Sequence, residues 1–277
     1  MITQPATMRQ HLFAKIPFAV RFVTLALLVG GFTGGITNLL LVPGFWPWNM
    51  PALAYRFLAA AAFAYVAGSI VVFMSARWVT SEYLMSTVLI YGYALVAAVL
   101  IDANQIDWTK LVAWLFVIIV SIAGAIGTYF VILKRKMASA EPKIPLSGIT
   151  RNFILALTTL ALVLALLVYF IPKQAGFIWP WAALPVWTPL DSRLIASMLL
   201  TIGGGGLLVL FRNDREVMQV FMVMLWAYCL VAALGVGLHA AVTPDLVVPD
   251  LVYIAIFALI SLTSFILFLR ERKTPPI

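Results

Sequence analysis

Charge is what this chain lacks most. Only 10% of its 277 residues are charged against 64% apolar, and the mean hydropathy is +1.07. A soluble domain of this length needs a charged shell that so few ionised groups cannot supply. Cys229 stands alone, which excludes an intrachain disulfide. Of the two histidines, His11 lies in the N-terminal tail and His239 at the end of an apolar stretch. A haem held by histidines from facing membrane helices therefore cannot be built from this chain. No glycine-rich phosphate loop and no His-Glu-x-x-His occurs, so nucleotide hydrolysis and zinc chemistry lack their signatures. Asp, Glu and Lys are missing from the middle third of every apolar stretch, where coupled carriers usually keep one. The expectation is no enzyme, no cofactor and no metal.

What the chain has is apolar length. Eight stretches, near 18–41, 52–74, 84–101, 110–133, 152–171, 191–211, 217–238 and 250–269, are each about 20 residues long. At about 1.5 Å per residue each crosses a hydrocarbon core about 30 Å thick. In lipid the backbone must satisfy its own hydrogen bonds, so these stretches are expected to be helices, and the short alternating segments of a membrane barrel are absent. The first stretch is too long for a cleavable signal core and has a counterpart later in the chain, so it is expected to be retained.

Arginine and lysine give the orientation. With eight crossings, fourteen cations and five acids fall on the side of the termini, and four cations and five acids on the other. The positive-inside rule places both termini in the cytoplasm of a cell (inner or plasma) membrane. The excess of positive charge then faces anionic headgroups, and no nucleic-acid partner is needed to explain it.

The tripeptide Trp-Pro-Trp occurs twice, as Trp46-Pro47-Trp48 leading to Arg56 and as Trp179-Pro180-Trp181 leading to Arg193. An offset of 137 aligns Leu53, Arg56, Ala59, Gly68, Val72, Met85, Tyr91, Val99 and Ala103 with identical residues, nine in 51 positions. Thr24-Leu25-Ala26-Leu27 is repeated as Thr159-Leu160-Ala161-Leu162. The expected fold is therefore all-α, a polytopic membrane protein of eight helices in a 4+4 parallel tandem repeat. Its segments are a tail over 1–16, repeat one over 17–136, a cytoplasmic linker over 137–150, repeat two over 151–270 and a tail over 271–277. An even number of crossings per half gives both halves one orientation, with a pseudo-two-fold along the membrane normal.

The string Phe45-Trp46-Pro47-Trp48, Pro51-Ala52-Leu53, Arg56, matched by Ile178-Trp179-Pro180-Trp181, Thr188-Pro189-Leu190, Arg193, resembles a duplicated pattern in uncharacterised bacterial polytopic membrane proteins. The first copy lacks the Thr-Pro-Leu triplet, and the second has a longer loop containing Pro185 and Trp187. The resemblance implies the architecture and brings no activity with it.

Three groups of residues invite a functional reading. Arg56, Asp102, Asp191, Arg193 and His239 gather at the outer helix ends; they form either membrane anchors with structural pairs, or a site for an anion or headgroup between two arginines. Trp46, Trp48, Trp108, Trp179, Trp181 and Trp187 all fall on the outer side, where an interfacial belt is expected and a stacking surface for a lipid is the alternative. Gly30, Gly31, Gly34 and Gly35, and the run Gly203, Gly204, Gly205 and Gly206, read as close helix packing or, for the second set, as a hinge. The function expected is a carrier or permease for a small or lipophilic solute, the alternative being an accessory subunit that scaffolds a larger membrane complex. Expected partners are the bilayer, a lipid or lipophilic ligand, and membrane proteins or further copies of this chain.

Overall fold

The apolar stretches fold as the absence of water at membrane depth requires. A computed structural model describes residues 18–41, 46–75, 77–133, 143–242 and 247–273. Among these, eight helices are long and apolar enough to span a bilayer. They are α1 (Phe18–Leu39), α2 (Ala52–Met74), α3 (Trp78–Ile101), α4 (Leu111–Leu133), α5 (Gly148–Phe170), α6 (Pro189–Arg212), α7 (Arg215–Ala240) and α8 (Val247–Lys273). The protein is thus an all-helical, multi-pass membrane protein. His11, Phe45 and residues 137–142 of the expected linker lie outside the described residues.

The observed helices run beyond several of the expected stretches because local polar groups cap them. α5 begins at Gly148, inside the expected linker, because the Ser147 side chain accepts the Thr150 amide. α6 opens on a capping box in which Thr188 and Asp191 satisfy each other's backbone amides, with Pro189 in the first turn. It ends at Asn213, whose left-handed backbone (φ 49°) turns the chain directly into α7. Asp214 caps α7 by accepting the Glu216 amide. α3 starts six residues before the expected 84, so Glu82 belongs to a helix and is buried.

Helix pairing sets the architecture. One row runs α1, α2, α7, α8 and the other α4, α3, α6, α5, with each helix packed on its row neighbours. The rows touch through their central members, α2 and α7 on one side and α3 and α6 on the other. Each row therefore contains two helices from each half of the chain. The central helices are the buried ones, whereas α1, α4 and α8 turn side chains such as Phe22, Ile119 and Leu259 outward. In water so wide an apolar exterior would drive aggregation; facing lipid it is the ordinary surface.

Small residues let the central helices approach. Ala59, Ala60 and Ala64 of α2 are fully buried. Gly31 and Gly35 of α1 lie against α2, at Ala62 and Val66 and at Phe63, while Gly30 and Gly34 have open space beside them. α6 is unbroken through its glycine run. Gly203 and Gly206 receive Leu162 and Thr158 of α5; Gly204 and Gly205 receive Ile90 and Tyr83 of α3. Four glycines in a row thus admit neighbours on two opposite faces of one helix.

Gly205→Ala would put a methyl 2.7 Å from the Tyr83 hydroxyl, and overpacking of this kind costs about 1–3 kcal/mol. Gly34→Ala has room and gains helix propensity of up to about 1 kcal/mol. Thermal melts in detergent should separate them, the first lower than wild type and the second equal or higher.

Candidate functional site

The ends of α3, α6 and α7 near the two Trp-Pro-Trp turns carry charge into a region of buried aromatic rings. Arg193, in the second turn of α6, forms an ion pair with Asp102 at the end of α3. Its Nε also donates to the Tyr169 carbonyl of α5 at 3.0 Å, and Asp102 accepts from Gln105 at 3.2 Å. The pair is largely buried, with side-chain exposures of 14% and 9%. Asp191, expected as a partner of the arginines, serves the Thr188 cap through Oδ2, while its buried Oδ1 has no partner within the protein.

Arg56 sits differently. It is 8% exposed, its stem lies against Gly235 of α7, and its buried Nε and Nη1 have no hydrogen-bond partner among the described residues. No carboxylate among the described residues reaches it to form an ion pair. His239 at the end of α7 lies within electrostatic reach of both Arg56 and Asp250. Asp250, in the first turn of α8, is fully buried and accepts the Trp181 indole N–H at 2.9 Å. Its other oxygen has no partner. The two arginines expected to act as a pair therefore have different surroundings, Arg193 neutralised by an acid and Arg56 not.

The tryptophans do not form an exposed belt. Trp48, Trp179, Trp181 and Trp187 are buried in the protein, the first three against rings from neighbouring helices. Trp46 and Trp48 lie 5.0 Å apart and both meet Phe116 of α4, at 5.2 and 6.0 Å. Trp179 and Trp181 lie 4.8 Å apart and both meet Tyr253 of α8, at 5.5 and 4.7 Å. The second cluster extends through Phe57, 5.1 Å from Trp179, to Phe257 at 5.9 Å from Phe57. Trp187 donates to Ser192 and Trp108 to the Ala103 carbonyl. The indole N–H groups of Trp48 and Trp179 are buried without a partner within the protein. An open cleft of about 640 Å³ adjoins the first cluster, lined by Trp46, Trp48, Tyr55, Asp107 and Lys110 among others. In the loop bordering it, Thr109 donates to Asp107 and holds that carboxyl below its usual range.

Ion pairs also close the opposite end. Arg77 reaches Asp214 at 3.2 Å and Glu216 at 3.4 Å, and Arg212 pairs with Glu82. Arg215 meets Glu271 at 3.4 Å, and Glu271 also accepts from Thr150 at 2.7 Å, which ties α5, α7 and α8 together. Sequence reasoning missed Asp250, Gly235 and these pairs. Tyr253 was legible in principle, since the offset of 137 carries Phe116 onto it; Asp250 was not, because the same offset pairs it with Ala113.

Among the described residues no cluster of His, Cys, Asp and Glu has the makings of a metal site. No protein-family description, curated protein or solved structure matches this chain. What the described residues place together here is charged groups and aromatic rings.

Asp102→Leu strands Arg193, and removing one partner of a buried pair costs about 3–5 kcal/mol. Asp102→Leu combined with Arg193→Met should recover most of that loss. Denaturation midpoints of the two variants measure the difference.

Proposed function

We propose that this protein is a cell-membrane carrier for a lipophilic anion, which it receives from the outer leaflet at Arg56. The buried Nε and Nη1 of Arg56, without a partner among the described residues, carry the proposal. A cation at membrane depth without a counter-charge is costly, and an anion from outside the protein is the direct remedy. The rings of Phe57, Trp179, Trp181, Tyr253 and Phe257 favour an apolar body behind that anionic head. A fatty acid or a phosphate-bearing lipid has this form.

The architecture we infer is a tandem duplication of a four-helix unit, with both termini cytoplasmic. Several independent contacts favour it. The two three-ring clusters use equivalent residues, Phe116 and Tyr253 being 137 apart. Gly68 meets Met224 while Gly205 meets Thr87, and the four positions again differ by 137 in pairs. Arg77 contacts Asp214, its own counterpart, and Tyr91 lies within electrostatic reach of its counterpart Tyr228. A residue can meet its own counterpart only close to a two-fold axis, so those pairs mark one running through the centre. Helix pairing agrees: α2 on α7 is matched by α6 on α3, and α1 on α2 by α5 on α6.

Interleaving constrains how such a carrier works. Because each row mixes helices of both halves, the halves cannot rock as separate blocks around a central passage. A lateral route, from lipid into the ring cluster between α2, α7 and α8, fits the packing better. The accessory-subunit reading draws on the ion pairs at both ends, which suit a rigid scaffold.

Native mass spectrometry of gently extracted protein tests the reading. One co-purifying anionic lipophile, lost in Arg56→Gln and retained in Lys173→Gln, is the expected result; fixed-ratio protein partners with no bound lipid would favour the accessory subunit. For topology, a cysteine at Thr109 should react with an impermeant maleimide on intact cells, and one at Arg272 only after permeabilisation.

A further inference from the structure

At the end away from the Trp-Pro-Trp turns, a cleft of about 680 Å³ opens between α4 and α6. Its floor is one face of α3, with Val79, Glu82, Tyr83 and Ser86 at the i, i+3, i+4 and i+7 spacing of a single helical stripe. Val131 and Ile132 of α4 form one wall, and Leu208, Phe211 and Arg212 of α6 the other. Lys143 stands at the rim. The cleft exists because α4 packs on α3 and leaves the neighbouring α6 wall uncovered.

Its chemistry has two parts. The walls are apolar and face outward, with Phe211 82% and Ile132 65% exposed. The polar part is Glu82 paired with Arg212, while Lys143 is exposed and has no ion pair among the described residues. Among the described residues, then, one cation without an acid partner lines an apolar trough at the depth where the helices end. The volume falls within the range of about 300–1,000 Å³ usual for small-ligand sites.

We propose that this cleft binds one anionic glycerophospholipid of the cytoplasmic leaflet. Lys143 and the outer edge of the Arg212 guanidinium hold the phosphodiester, and an acyl chain lies in the trough between Ile132 and Phe211. Charge complementarity selects the occupant: a zwitterionic lipid brings its own cation against Lys143, whereas an anionic one does not. The Glu82 pair has a defined part in this. It keeps Arg212 in place while reducing the positive charge of the cleft to one, which matches a single phosphodiester. The leaflet assignment rests on the orientation proposed above, but the binding chemistry does not.

The test uses the whole chain, delipidated in neutral detergent, titrated with short-chain phosphatidylglycerol and, separately, phosphatidylcholine, and followed by native mass spectrometry. The titration is run on an Arg56→Gln background, which removes the site proposed at the other end; this protein should take up one phosphatidylglycerol in preference to phosphatidylcholine. Adding Lys143→Gln should weaken that uptake about fivefold, the effect of removing one cation near a lipid headgroup. Adding Arg151→Gln, an exposed cation outside the cleft, should leave it unchanged. Lys143 is exposed, so its replacement does not endanger folding. Equal uptake of the two lipids, no effect of Lys143→Gln, or an equal effect of Arg151→Gln would overturn the proposal.

Discussion

Where water is excluded, a charge must find its counter-charge inside the protein or in a ligand, and this requirement governs where helices of this chain meet. α3 and α6 are joined by an ion pair at each end, Arg193 with Asp102 and Arg212 with Glu82. Between those pairs the contact is made by the glycine run of α6, which admits Tyr83 and Ile90. Two fixed ends and a close middle leave the helices little freedom to slide. The opposite pairing, α2 on α7, has a close middle through Gly68 and Met224 and the alanine face of α2. At its Trp-Pro-Trp end, however, it has Arg56 facing His239 in place of a salt bridge.

Packing in lipid gains nothing from burying apolar surface against lipid tails, so dispersion and a few polar contacts must hold the helices. The alanine face of α2 and the glycine run of α6 serve this close approach. Buried hydroxyls are mostly satisfied locally: Ser197 donates to the Arg193 carbonyl and Thr201 to that of Ser197, each a turn back along α6. The tyrosines reach further. Tyr65 donates to the Thr87 carbonyl of α3 and Tyr169 to the Ala94 carbonyl of the same helix, bonds that join different helices. The outer helices α4 and α8 also take part, through Tyr93 with Thr128 and Ser261 with the Trp226 carbonyl, while their large exposed side chains face outward.

Much of the fold was legible because apolar length and helix length are the same quantity in a membrane. The stretches at 52–74 and 110–133 coincide almost residue for residue with α2 and α4. Differences arise where polar residues lie inside helices. Glu82 precedes the apolar stretch that starts at 84 yet belongs to α3, where Arg212, 130 residues away, pairs with it. For the tryptophans, side of the membrane is legible and burial is not; Trp48 is buried against Phe116, and Trp179 and Trp181 against Tyr253. Of the polar cluster, the residue types were visible but not the partners. That Arg193 takes Asp102 and Arg56 takes none depends on rows that mix the two halves, and no local pattern encodes that.

The difference between the two arginines is the most informative departure from the symmetry we propose. Under the proposed duplication the copies began equal, and differences at equivalent positions arose afterwards. Asp102 and His239 occupy equivalent positions, and the change between acid and imidazole removes a fixed negative charge from beside one arginine only. On the same side Asp250 replaces the counterpart of Ala113 and is engaged by Trp181. An acid has thus been added near Arg56 but held by an indole, out of ion-pairing reach. Structural stability alone would favour the closed pair seen at Arg193, because it leaves no buried cation exposed to desolvation without compensation. One copy has the arrangement that stability favours. The other has the cation without a carboxylate partner among the described residues, next in sequence to Phe57 of the ring cluster, and that combination is what the proposed recognition of an anion draws on.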